Sequence, residues 1–88
     1  LVICISHLGH QYQNDKISDT QLAKLTSNID LIIGGHTHTL LKEPLILNNS
    51  LGEKVIINQV GSSGVYVGKI DFNFINNNKS SDKSIVEV

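Results

Sequence analysis

Three histidines stand where they could do chemistry. His36 and His38 follow an apolar run and a glycine pair in "IDLIIGGHTHTLL", residues 29–41, and His7 follows the apolar run "LVICIS" at the start of the chain. Imidazoles that converge are ligands for divalent transition metals, because a neutral ring nitrogen binds such an ion without adding negative charge. Three of them would complete one catalytic zinc site with a position left open. They are too few for two metals, and the nearby carboxylates do not supply the difference. Asp15, Asp19 and Asp30 fall in a loop, at a helix start and at a strand start, where capping or a turn explains the last two. A lone histidine at a strand end is most often solvated or hydrogen-bonded, an H-x-H pair by itself is a weak motif, and His10 reads as a surface loop residue.

Whether the three rings can meet depends on the elements that carry them. "LVICIS" is β-branched and continuously apolar, which predicts a strand buried on both faces. Cys4, the sole cysteine, then reads as a small buried hydrophobe. "HLGHQYQNDKI" is a polar loop. In "SDTQLAKLTS", Ser18 and Gln21 have capping-box spacing and Leu22, Ala23 and Leu25 have helical spacing, so a short helix is expected over about 19–27. "IDLIIGG" is a second apolar strand. Strand, helix and strand within ~30 residues make a βαβ unit with parallel strands and a right-handed crossover. His7, His36 and His38 would then collect at one carboxyl edge of the sheet, where α/β folds place ligands. In extended chain the i, i+2 spacing would point His36 and His38 to the same side. Gly34 and Gly35 would let the backbone turn there and approach a ligand closely.

Beyond residue 40, "PLIL", "KVIINQV" and "VYVGKIDFNFI" read as strands separated by "NNSLGE" and "GSSG". In the last of them Tyr66, Ile70, Phe72 and Phe74 alternate with Val67, Lys69, Asp71 and Asn73, the pattern of a half-buried antiparallel strand. Residues 76–88 read as a polar, flexible tail.

Composition narrows the class. The chain has 88 residues, 40% of them hydrophobic and 5% aromatic, so it makes at most one small domain. If it folded by itself it would bury about 60% of its unfolded surface. With a net charge of −1, seven lysines and no arginine, it lacks the basic face of a nucleic-acid binder. No apolar run approaches the ~20 residues of a membrane span. With no methionine and an opening inside an apolar run, it reads as the later part of something longer.

Taken together, "ISHLGH", "IDLIIGGHTHT" and "NQVGSSGVYVGKIDF", in that order, resemble the C-terminal half of the calcineurin-like metallophosphoesterase domain of the 5'-nucleotidase family. The resemblance runs over about residues 1–74, with "GGHTHT" as its most specific piece. It implies an α/β architecture, a fragment of a four-layer αββα fold in which one βαβ unit is followed by antiparallel strands. Residues 1–75 would be the C-terminal part of that domain and 76–88 the polar tail. It also implies two divalent metal ions (Zn, Mn, Fe or Co) in the complete domain. By the same resemblance His7 and His36 bind the second metal and His38 the first. Gly35 and Thr37 would shape the ligand loop, and the hydroxyl of Thr37 or Thr39 could hold a ligating imidazole. Many 5'-nucleotidases carry an amide residue at the position of His38, and a histidine there matches the broader phosphoesterase pattern. The DxH, GD and GNH motifs of the family, with its transition-state histidine and bridging aspartate, are not in these residues, so no catalytic residue is expected here. The implied reaction is hydrolysis of nucleotide phosphomonoesters by a metal-bound hydroxide, with the missing N-terminal half of the domain as partner and the fragment inactive by itself. Family members are commonly periplasmic, extracellular or surface-bound, so export is implied. The alternatives are phosphodiesters, nucleotide sugars or sulfur esters on the same scaffold, or a non-enzymatic β-rich binding module.

Overall fold

The computed structural model describes the backbone of residues 1–75 and 78–87 and the side chains of residues 1–74. Its elements are β1 (Ile3–Ile5), α1 (Asp19–Leu25), β2 (Leu31–Ile33), β3 (Leu45–Asn48), β4 (Lys54–Asn58), β5 (Tyr66–Ile75) and β6 (Asn78–Glu87). Four strands form one sheet in the order β1-β2-β4-β3, and β5 and β6 form a two-stranded sheet. β1 pairs parallel to β2, β2 parallel to β4, and β3 antiparallel to β4. The βαβ unit and the antiparallel strands after it are therefore present as expected.

Helix α1 begins where Ser18 caps it: the Ser18 side chain accepts from the Gln21 N–H at 3.3 Å, satisfying an otherwise orphan donor. The helix ends at Leu25, two residues before the expected limit, where Thr26 adopts an extended conformation and turns its hydroxyl back to the Leu22 carbonyl. Ser18 is 1% exposed, so water cannot replace the lost acceptor. Ser18→Ala is expected to lower unfolding free energy by about 1 kcal/mol, measured as a shift in urea midpoint at unchanged slope.

One face of the sheet lies under this helix. The strand register places Cys4, Ile32, Ile57 and Leu45 in one row across β1, β2, β4 and β3. Ala23 of the helix closes on Ile32, Val55 and Ile57, all four with no exposed surface, while Cys4, Leu45 and Leu47 pack around them. Cys4 thus behaves as the packed small hydrophobe anticipated, half-buried and unbridged.

The opposite face corrects the expectation for "LVICIS". Ile3 is 47% and Ile5 86% exposed, so β1 is buried on one face. Its second face, with Ile33 of β2, turns toward a groove that Ile70 and Phe72 of β5 line from the other side. β5 comes close to this face at Gly68, where a Cβ would stand 2.7 Å from Asn58 Nδ2. A helix, a sheet and a second two-stranded sheet are thus stacked in turn. In β5 the anticipated alternation holds, with Tyr66, Ile70 and Phe72 half-buried and Val67, Lys69, Asp71 and Asn73 exposed; Phe74 is exposed instead. β5 pairs antiparallel with β6, from Tyr66↔Glu87 to Ile75↔Asn78. Where a flexible tail was expected, Asn78–Glu87 therefore forms a strand, because a ten-residue partner offers it a complete ladder. The boundary drawn between 75 and 76 meets residues 76 and 77, which lie outside the described residues. Among the described residues, no helix is long and apolar enough to cross a membrane.

Candidate metal-binding edge

His7 follows β1 and His36 follows β2, and the parallel pairing of those strands delivers both to one sheet edge. The link continues past the last ladder pair, because the Ser6 N–H donates to the Ile33 carbonyl at 2.8 Å. The two imidazoles then meet edge to face, ring centroids 5.1 Å apart. Both histidines are exposed, as is His38. His38 is on the same loop; among the described residues the ring pair is His7 with His36. Among the described residues, no three histidine, cysteine or acidic side chains stand close enough together to hold a metal by themselves. Two exposed imidazoles at one edge suit a divalent transition metal, with the remaining positions left to other groups.

The loop differs from the extended segment that the spacing suggested. His36 has φ 74° and His38 φ 54°, both in the left-handed region. The Thr37 N–H donates to the Gly35 carbonyl at 2.9 Å, a three-residue γ-turn centred on His36. Histidine enters this region more readily than most residues, yet a non-glycine held there costs about 1–3 kcal/mol and survives only where its surroundings over-determine it. Those surroundings are specific. Buried Gln59 accepts from the Thr39 N–H at 2.7 Å and from the Thr37 hydroxyl at 3.4 Å. The Thr37 hydroxyl also takes the His10 N–H at 3.0 Å and meets the Thr39 hydroxyl at 2.8 Å. Thr37 and Thr39 thus tie the loop to its neighbours; among the described residues neither hydroxyl is bonded to an imidazole.

At Gly35 the His36 loop comes close to His7. A Cβ there would stand 3.1 Å from His7 Nδ1, tighter than ordinary packing, so the bare Cα lets the rings come together. Gly9, at φ 97°, needs its missing Cβ for the same reason, since the Tyr12 hydroxyl and the Thr37 methyl fill that space.

His10 and Asp19 were both missed by sequence reasoning. His10 is half-buried, not a surface residue, and its Nδ1 is enclosed without a hydrogen-bond partner. The reason lies in the loop it closes: the Gly9 and His10 carbonyls accept from the Asp19 and Thr20 N–H groups at 2.8 and 3.2 Å, which ties this loop to the start of α1. Asp19 looked like an ordinary acidic residue in a first helical turn. It is fully buried instead, and its Oδ1 accepts from the Ser6 hydroxyl at 2.5 Å. Burial pushes its carboxyl above the ordinary value, against the lowering pull of the Ser6 hydroxyl and of nearby His10. With the folded value raised, the stability it contributes is present below the unfolded value and is lost as pH rises through the folded one. The available signal was the chain order itself: Ser6 beside His7, and a helix that starts under the same edge.

Comparison with known proteins shows what the chain as a whole is similar to. No family model matches the chain. Over 73 residues it is 40% identical to the trifunctional nucleotide phosphoesterase protein YfkN of Bacillus subtilis, a match covering 83% of this chain and 4% of that protein. It is 32% identical over 84 residues to a 5'-nucleotidase-related protein of Glossina morsitans morsitans, covering 80% of this chain and 14% of the relative. An apyrase of Anopheles gambiae is 30% identical over 93 residues, covering 84% and 15%. The crystal structure of a 5'-nucleotidase precursor from Thermus thermophilus superimposes with a TM-score of 0.71 at 24% identity, over 78% of this chain and 16% of that one. The chain therefore spans 4 to 15% of the length of these curated relatives. By name these relatives are a nucleotide phosphoesterase, a 5'-nucleotidase-related protein and an apyrase. The chain is homologous to one segment of these proteins, and its fold is that of a segment of the 5'-nucleotidase precursor.

Proposed function

We propose that the protein containing this chain is a metal-dependent hydrolase of nucleotide phosphate esters, and that His7, His36 and His38 are its contribution to the binding of two divalent metal ions. The observation that supports this most directly is the meeting of the His7 and His36 rings at the ends of parallel strands. The left-handed backbone at His36 and His38 adds to it, since strain of this kind collects at functional sites. When bound, such metals supply positive charge for phosphoryl oxygens and acidify water. This chain's own part is to present imidazoles, which hold the ions without repelling a phosphate, and to keep the loop in place through Thr37, Thr39 and Gln59. The carboxylate ligands come from a segment outside these 88 residues, so the chain by itself is inactive.

The names of the relatives favour a hydrolase over a non-enzymatic binding module. They include a trifunctional phosphoesterase and an apyrase, so the substrate range extends beyond 5'-monophosphates to other phosphate linkages. The neighbour of known structure is named a precursor, in keeping with export. The test is phosphate release by the full-length protein from nucleoside 5'-monophosphates, di- and triphosphates, cyclic phosphodiesters and nucleotide sugars. It is run with manganese, zinc, cobalt or iron and after chelation. Release from nucleotides that chelation abolishes supports the reading, and release unaffected by thorough chelation overturns it.

A further inference from the structure

Two buried side chains outside the histidine set both reach Gly34, at the base of the His36–His38 loop. Asp19 is fully buried and Gln59 is 2% exposed. Each has one oxygen committed to a loop: Asp19 Oδ1 to the Ser6 hydroxyl, which also accepts from the Leu8 N–H at 3.2 Å and so brackets His7, and Gln59 Oε1 to Thr39 and Thr37 around His38. Each has one atom left without a hydrogen-bond partner, the acceptor Asp19 Oδ2 and the donor Gln59 Nε2. Both stand at the same glycine. A Cβ on Gly34 would collide with Asp19 Oδ2 and lie 3.2 Å from Gln59 Nε2.

We propose that Asp19 and Gln59 are paired positioning residues, a buried donor–acceptor clasp across Gly34 that sets the His7 loop against the His36–His38 loop. Neither touches a metal or substrate. Each acts through the backbone flanking a histidine, one from the helix start and one from the strand end, and the glycine between them is what lets the carboxylate reach that side. Buried polar atoms are normally partnered, and an unspent donor beside an unspent acceptor is the arrangement a short shift or one bridging water completes. Its effect on metal affinity rests on the function proposed above; its effect on ring placement does not.

The pair permits an exchange experiment. Asp19→Asn keeps an acceptor for Ser6 but turns the free acceptor into a donor, and Gln59→Glu keeps an acceptor for Thr39 but turns the free donor into an acceptor. Each single change sets like against like; the double change restores complementarity with the roles reversed. The readouts, on the full chain labelled with 13C-histidine, are the nuclear Overhauser effect between the His7 and His36 rings without metal and the cobalt(II) affinity from its visible spectrum. Each single variant is expected to weaken the ring–ring signal and to lower cobalt affinity by about 10- to 100-fold, and the double variant to recover most of both. Purely additive losses in the double variant, or single variants with both readouts unchanged, would overturn the proposal. If a single variant does not fold, Ser6→Ala decides: it severs the Asp19 arm alone, and an undiminished ring–ring signal counts against the clasp. If the native protein binds no cobalt, the metal reading fails, and the ring–ring signal still decides the clasp.

Discussion

His36→Ala in the full-length enzyme is expected to lose more than about a hundredfold in turnover, because groups that merely orient a metal ligand are themselves worth 10- to 100-fold. Alanine changes two things at once, since it removes the ring and leaves a residue poorly suited to φ 74°. His36→Gly separates them. Glycine takes that backbone conformation without strain, so a backbone cause would leave His36→Gly near native activity and a chemical cause would leave it as inactive as alanine. The ring is the group that meets His7, and the second outcome is expected. Phosphate release and metal content, measured together on both variants, check it; turnover near that of the native enzyme in either would refute the ligand assignment.

Ile57→Ala is expected to destabilise the fold by about 2–5 kcal/mol. Ile57 has no exposed surface and sits on β4 between its register partners, Ile32 of β2 and Leu45 of β3, with Ala23 of the helix packed above. Its neighbours belong to three paired strands and a helix, so they cannot close over the void without giving up backbone hydrogen bonds. Against the ~5–15 kcal/mol total of a typical domain, such a loss removes a large share of the stability. Ile46→Ala is the internal comparison, since Ile46 lies in the same sheet, on the opposite face, and is 51% exposed. A urea series should shift the midpoint strongly for Ile57 and slightly for Ile46; equal shifts would mean the core is not where the packing puts it.

The fold was legible wherever local pattern and burial agree. The Ser18 cap, the parallel pairing from "LVICIS" and "IDLIIGG", and the alternation in β5 all follow from side-chain period and capping chemistry. The burial of β1 misled because a continuous apolar run is the same whether its second face meets a packed layer or a groove, and only the placement of β5 distinguishes them. In the site, the convergence of His7 and His36 was readable from topology. The left-handed turns were not, since the i, i+2 spacing carries no information about φ. Asp19 and His10 escaped for a related reason: their burial comes from a loop folding onto the start of a helix, a long-range event that no window of neighbouring residues records.

The left-handed histidines also say something about how this loop can change over generations. At positions 36 and 38, drift to glycine would relax the backbone and so be downhill for folding, while it would erase the imidazoles. Selection for a sturdier protein and selection for a working one therefore pull these two positions in opposite directions. A lineage that had shed its catalytic duty would be expected to lose these histidines first, while the apolar row beneath them stayed in place.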